Sequence, residues 1–224
     1  MKKASILDPR TALQKKLAKS AKGPFRIGIM GGTFNPIHYG HLLCAEQARC
    51  KFRLRQVIFV PSGEPPHKHI VHIAPAQHRY NMTLLATSTN PHFSVSRVEI
   101  DREGPSYAVD TIAYFIKLYS EYNPKVYFIT GCDAVTEILS WRKPEKILSM
   151  ATIIAATRPG YDFKNLRDTV GLDVFKQIKP LEASALAISS TDIRSRIEDG
   201  RPIRYLLPEA VEQYVRKHGL YEAP

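Results

Sequence analysis

The sequence predicts an α/β chain built on a doubly wound parallel sheet, with a small C-terminal helical part. Three observations carry that expectation. Short runs rich in Val, Ile, Phe and Tyr alternate with helical patterns. No long polar linker interrupts the alternation. A glycine pair, Gly31-Gly32, stands directly behind the first apolar run and ahead of a helical pattern. Such alternation implies right-handed crossovers, and in sheets of this kind ligands sit outside the carboxyl ends of the strands.

Taken in order, strands are predicted at 25–30, Gln56–Pro61, Phe93–Val95, 125–129 and Ala151–Thr157. Helical patterns lie at Tyr39–Phe52, 76–88, 108–119 and 135–140. Gly31, Pro61, Gly131 and Arg158 would then emerge together at one end of the sheet. After Arg158-Pro159-Gly160 the pattern is less regular until 181–188, which reads as the last strand. Ser189 and Ser190 form a cap-like start for a helix through Glu198, and 208–218 reads as the final helix.

A chain of 224 residues with 44% hydrophobic content can bury one sizeable core. Residues 1–23 read as a basic, flexible N-terminal extension carrying Lys2, Lys3, Arg10, Lys15, Lys16, Lys19 and Lys22, and 24–224 as a single domain. The extension lacks a hydrophobic segment and no apolar run approaches the roughly 20 residues of a membrane span, so neither export nor a membrane partner is expected. Cys44, Cys50 and Cys132 match neither a zinc site nor a disulfide framework and read as reduced thiols of a cytoplasmic protein. Residues 67–78 hold four histidines, but in a Pro-rich loop without a metal template.

The net charge of +11 suits a nucleic-acid binder or an enzyme with several substrate phosphates. It is spread along the chain rather than gathered in a basic-aromatic stripe, so no nucleic-acid partner is expected. Oligomeric state is left open, with room for a homo-oligomer.

The chemistry concentrates in Gly31-Gly32-Thr33-Phe34-Asn35-Pro36-Ile37-His38-Tyr39-Gly40-His41. Paired glycines let the backbone approach a phosphate, and the following helix N-terminus attracts its charge. No Gly-Lys-Ser/Thr follows, so this is not a Walker loop, and the Gly-x-Gly-x-x-Gly spacing of dinucleotide folds is absent. His38 and His41, three apart, share one helix face. An isolated pair of this kind more often caps and packs; behind a Gly-Gly turn the pair reads as a phosphate site.

These residues resemble the first signature of nucleotidyltransferases with a His-x-x-His motif, and the Gly-Gly-Thr-Phe form resembles bacterial nicotinate mononucleotide adenylyltransferases. Ile188-Ser189-Ser190-Thr191-Asp192-Ile193-Arg194-Ser195-Arg196-Ile197 resembles the second signature of that superfamily, about 150 residues on. Pro65-Pro66-His67-Lys68, Pro105-Ser106-Tyr107 and Gly131-Cys132-Asp133 with Trp141 resemble further segments of the nicotinate branch. The resemblance runs from about Phe25 to Tyr221 and implies a Rossmann-like nucleotidyltransferase domain.

It also implies a reaction: adenylyl transfer from ATP to nicotinate mononucleotide, giving nicotinate adenine dinucleotide and pyrophosphate in NAD biosynthesis. The acceptor phosphate is already a nucleophile at pH 7, so such an enzyme needs alignment and charge neutralisation rather than a covalent intermediate. The resemblance assigns catalysis to His38, His41 and Arg194. It assigns ATP to these three with Gly31, Gly32, Thr33, Phe34, Asn35, Gly131, Asp133, Ser189, Ser190 and Thr191. For the nicotinate nucleotide it implies Lys68, Tyr107, Ala108, Trp141, Arg142 and Arg158, with Trp141 stacked on the pyridine. Mg²⁺ is expected with ATP, held mainly by substrate phosphates and water, with no protein metal site.

Three residues depart from the family pattern: Asn35 where Asp is common, Ala108 where Thr is common, and Cys132 where Ala is usual. The rival acceptors are nicotinamide mononucleotide and phosphopantetheine. A rival of another class is a nucleotide- or nucleic-acid-binding protein that has lost the reaction.

Overall fold

A computed structural model of the chain describes residues 24–64, 73–157, 163–184 and 186–222. The basic extension 1–23, Lys68 with the first three histidines of the 67–78 segment, and Arg158 lie outside the described residues. Six strands, β1 (Arg26–Gly32), β2 (Gln56–Pro61), β3 (Phe93–Val95), β4 (Lys125–Gly131), β5 (Ala151–Thr157) and β6 (Ile178–Glu182), form one sheet in the order β3-β2-β1-β4-β5-β6. Every pairing is parallel. Strand order therefore reverses between β1 and β4, the switch point beside which a doubly wound sheet opens a ligand crevice.

The helices are α1 (Tyr39–Phe52), α2 (Ala76–Thr87), α3 (Ala108–Leu118), α4 (Cys132–Thr136), α5 (Pro144–Met150), α6 (Phe163–Val170), α7 (Leu172–Phe175), α8 (Ser190–Glu198) and α9 (Glu209–Lys217). Strand side chains alternate between two apolar layers. Ile27, Ile29, Ile58, Val60, Val126, Phe128, Ile153 and Ala155 face the layer closed by Ile112 and Phe115 of α3, Ile147 of α5 and Leu166 of α6. Met30, Val57, Phe59, Ile129 and Ile154 face the layer closed by Ala45 and Ala48 of α1, Met82 of α2, Ile193 of α8 and Val211 and Val215 of α9. Both faces of the sheet are thus covered, as near-continuous apolar strands demand. Cys44 sits in the second layer, where burial pushes its thiol up to about 11.

Several boundaries differ from the sequence expectation. Gly31 and Gly32 are the last residues of β1, paired with Val60 and Pro61, rather than a turn behind it. The last strand is Ile178–Glu182, not 181–188. It is an edge strand that buries only Ile178 and Leu181, and its Pro180 is tolerable where one side lacks a partner strand. Its hydrophobic alternation is accordingly weak, whereas the apolar stretch after it lies outside the sheet. Helices α6 and α7 occupy the stretch expected to be irregular, with Leu166 and Val170 buried four residues apart. The helix expected at 135–140 is instead α4 followed by a 3₁₀ turn, Ile138–Ser140. Helix α5 was not anticipated, although Pro144 is well suited to its first turn.

The turn after β2 is unusually tight. A Cβ on Gly63 would lie 2.3 Å from the carbonyl oxygen of Glu99, a backbone atom that has no rotamer to yield. Gly63→Ala is expected to destabilise the protein by about 1–3 kcal/mol, measured by denaturant unfolding; unchanged stability would mean that the two turns are not in contact.

Candidate active site

The chain leaving β1 folds back on itself at Phe34, which takes φ 48° and buries its ring 5.8 Å from Phe59 and 5.1 Å, edge-on, from the His41 imidazole. His38 occupies the N-cap of α1 and His41 its first turn, with ring centroids 3.7 Å apart. The His38 backbone N–H donates to Nδ1 of His41 at 3.2 Å. An Nδ1 that accepts places the proton of the neutral imidazole on Nε2, the nitrogen directed away from the chain's own amide.

His38 is 6% exposed and its Nδ1 is buried without a hydrogen-bond partner, the nearby His41 amide being spent on the His38 carbonyl at 3.0 Å. Burial lowers its pKa to about 4. His38 is therefore a neutral group at pH 7. Gly40 makes room for it: a Cβ there would lie 3.0 Å from the His38 ring.

That burial has a consequence for stability. Between the unfolded value of 6.5 and about 4 the unfolded chain binds the proton and the folded one does not, so stability falls as pH drops through this window. The full difference is worth roughly 3 kcal/mol. His38→Gln is expected to flatten the acid dependence of thermal unfolding between pH 6.5 and 4; an unchanged slope would mean that His38 titrates alike in both states.

The second motif is fastened to the first. Ser189 caps α8 by accepting the Asp192 amide at 3.1 Å, and the Ser190 hydroxyl donates to the Pro36 carbonyl at 2.8 Å. Nη1 of Arg194 donates to the Asn35 carbonyl at 2.8 Å, while Nη2 lies 3.4 Å from the Thr191 hydroxyl. Residues 154 and 159 positions apart in the chain thus share one turn. The N-termini of α1 and α8 both open there, and both attract anions. The Asn35 side chain has an engagement of its own, accepting the Ala74 amide at 3.0 Å and the Tyr221 hydroxyl at 2.7 Å.

Gly131 ends β4, across the switch point. Its φ is −67° and nothing lies within 4 Å of the Cβ it lacks, so neither conformation nor packing requires glycine there. Asp133 is exposed in the first turn of α4.

A separate group gathers beside these. Tyr107 caps α3, Ala108 begins it, and the Arg142 guanidinium lies 4.5 Å over the Tyr107 ring. Trp141 packs edge-on against Phe128 at 5.9 Å. Phe128 in turn would touch a Cβ on Gly31 at 3.3 Å, so the tryptophan stands one ring away from the first glycine. Of the six residues expected around the acceptor, Tyr107, Ala108 and Trp141 pack against the apolar layer that holds Phe128, and Arg142 lies on Tyr107; Lys68 and Arg158 fall outside the described residues. His78, the remaining histidine of the 67–78 segment, contacts the Tyr214 hydroxyl at 3.0 Å.

An apolar cavity of about 480 Å³, lined among others by Leu42, Leu43, Phe93 and Leu186, contains none of the expected site residues. Among the described residues no group of three or more His, Cys, Asp or Glu is placed to hold a metal ion, and no helix is long and apolar enough to cross a membrane. The sequence motifs contain Gly40 and Gly63 without giving either a role, and they leave out Tyr221 and the buried Arg79 as site residues. Glycine spacing could have signalled the first; an arginine in a weakly patterned helix gives no sign of burial.

A six-stranded sheet with two phosphate-type helix N-termini at one turn defines a nucleotide-handling α/β protein. Residues 29–196 match the family model described as cytidylyltransferase-like. A curated relative from Moorella thermoacetica, named "Probable nicotinate-nucleotide adenylyltransferase", is 56% identical over 203 residues, 88% of this chain and 92% of its own. One of the same name from Thermoanaerobacter sp. is 52% identical over 204 residues, 88% and 94% of the two chains. The chain belongs to the nicotinate-nucleotide adenylyltransferases of the cytidylyltransferase-like family. The nicotinic acid mononucleotide adenylyltransferase of Plasmodium falciparum, solved with NaAD, shares the fold at a TM-score of 0.70 and 20% identity, over 88% of this chain and 97% of that one.

Proposed function

We propose that the chain transfers the adenylyl group of ATP to nicotinate mononucleotide, releasing pyrophosphate and forming nicotinate adenine dinucleotide for NAD biosynthesis. The observation that carries this reading is the convergence of His38, His41, Ser190 and Arg194 on the single turn Asn35–Pro36. The relatives' names supply the acceptor; the structure of the Plasmodium protein with NaAD is a precedent for the product in this fold.

The triphosphate lies across the N-termini of α1 and α8. Nε2–H of His41 donates toward the α-phosphate, with His38 behind it holding the ring by stacking and by its backbone N–H. With Nδ1 of His41 accepting and His38 uncharged behind it, the positive charge that offsets the departing pyrophosphate comes from Arg194 and the helix ends. Ser190 and Thr191 complete the β- and γ-phosphate side. Gly31, Gly32, Thr33, Phe34 and Asn35 supply the backbone cradle, and Gly131 and Asp133 the adenosine side. The vacant space at Gly131 supports that placement.

The acceptor rests against Trp141, with Tyr107, Ala108 and Arg142 around its carboxylate and Lys68 and Arg158 as phosphate partners. Its phosphate oxygen attacks the α-phosphorus in line, so the bond to the acceptor forms as the bond to the β-phosphate oxygen breaks. Mg²⁺ would be held mainly by the substrate phosphates and water, where it would offset their negative charge. Residues 24–224 would then act as one nucleotidyltransferase domain in the cytoplasm, where ATP is supplied.

The test is pyrophosphate release with ATP and, in parallel, nicotinate mononucleotide, nicotinamide mononucleotide or phosphopantetheine. Fastest turnover with the nicotinate form supports the reading; equal or faster turnover of phosphopantetheine overturns the acceptor, and binding without pyrophosphate release overturns the reaction.

A further inference from the structure

The largest fully buried side chain among the described residues is a charged one, Arg79 of α2, at 1% exposure. Arginines this deep are normally paired with a carboxylate, because an unpaired buried charge is costly. Arg79 is in none of the ion pairs among the described residues. The nearby buried carboxylate, Glu99, spends Oε1 on the Thr111 hydroxyl at 2.6 Å. The guanidinium instead serves backbone carbonyls: Nε donates to Ala74 at 2.9 Å, Nη1 to Thr33 at 2.9 Å and Nη2 to Gly63 at 3.1 Å, with the Ser62 hydroxyl 3.4 Å from Nη1.

Those carbonyls belong to segments that matter. Thr33 directly follows the glycines of β1. Ser62 and Gly63 directly follow β2, whose Pro61 pairs with Gly32. The 62–64 turn continues to the acceptor group, since Glu64 bridges Pro105 and its carbonyl accepts the Ser106 amide at 3.5 Å, next to Tyr107. Ala74 is tied by its own amide to Asn35. One rigid planar fork thus joins the turn under the donor to the turn bordering the acceptor.

We propose that Arg79 is a positioning residue: its guanidinium fixes the spacing between the Thr33 turn and the Ser62–Gly63 turn, and so the approach of the acceptor phosphate to the α-phosphorus. The proposal rests on the adenylyl-transfer reading. Lysine at this position would keep the charge but not the fork, and could not serve three divergent carbonyls in one plane. A displacement of about 1 Å between reactants costs on the order of 10²-fold in rate.

Arg79→Lys and Arg79→Gln are to be checked for cooperative unfolding and then assayed for pyrophosphate release with each substrate varied. The folded Arg79→Lys protein is expected to lose about 10²-fold in kcat while each KM moves by less than about tenfold. A kcat within about twofold of the unmutated protein, or a loss matched by the unfolded fraction, overturns the proposal. If neither variant folds, the unmutated protein labelled with ¹⁵N-arginine decides: the protected Arg79 Nε–H resonance is expected to shift on adding a non-hydrolysable ATP analogue and, separately, on adding nicotinate mononucleotide. A resonance that responds to one of them or to neither overturns it. Absence of pyrophosphate release by the unmutated protein would instead overturn the functional reading.

Discussion

His41→Ala is expected to lower kcat for pyrophosphate release by about 10²-fold or more, the scale set by removing one preorganised donor from a charge-developing site. His41 is held from two sides, by the Phe34 ring edge at 5.1 Å and by the His38 amide at 3.2 Å on Nδ1, which leaves the proton on Nε2. A donor fixed in tautomer and direction before the substrate arrives needs no reorganisation as negative charge moves toward the leaving group. Because the imidazole carries no full charge, its contribution belongs to the transition state more than to ATP binding, and the KM for ATP should change far less than kcat. Steady-state assay of the folded variant checks this; turnover at the unmutated level would remove His41 from the reaction.

Arg194→Ala is expected to reduce kcat/KM for ATP by at least about 10²-fold, with a larger share in KM than for His41. Its guanidinium is anchored on the Asn35 carbonyl by Nη1 at 2.8 Å, so the side chain points at the turn between the two motifs before any ligand binds. In the proposed reaction Arg194 would meet the leaving phosphates as a full charge and stabilise ground state and transition state together. Arg194→Lys should recover part of the loss by restoring charge without the planar fork. If Arg194→Ala matches the unmutated protein at low ATP, the second motif holds α8 in place and does nothing more.

Legibility in the sequence followed how locally each feature is specified. The parallel sheet was readable because β1, β2, β4 and β5 bury side chains on both faces and so show as near-continuous apolar runs. Strand β6 was misplaced because an edge strand buries only alternate positions imperfectly, and its Pro180 argues against a strand when neighbours are unknown. Strand order could not be read at all; it depends on crossover packing, yet it is what sets β4, and Gly131 at its end, beside β1. The two signatures were legible as residues, but their fastening through the Asn35 and Pro36 carbonyls was not, since backbone acceptors leave no trace in side-chain identity. Arg79 was invisible for the same reason: all three of its shortest bonds end on carbonyl oxygens. Asn35 shows the opposite case. Read as a departure that removes a charge, it proves to spend Oδ1 on the Ala74 amide and the Tyr221 hydroxyl.

In the proposed reaction one triphosphate is gripped by groups from both ends of the chain. The most direct measurement is an experimental structure of the protein with a non-hydrolysable ATP analogue and Mg²⁺. It is expected to show Nε2 of His41 and the Arg194 guanidinium each within hydrogen-bonding distance, roughly 3 Å, of phosphate oxygens of the same molecule. Phosphates bound elsewhere, or touching only one of these two groups, would contradict it.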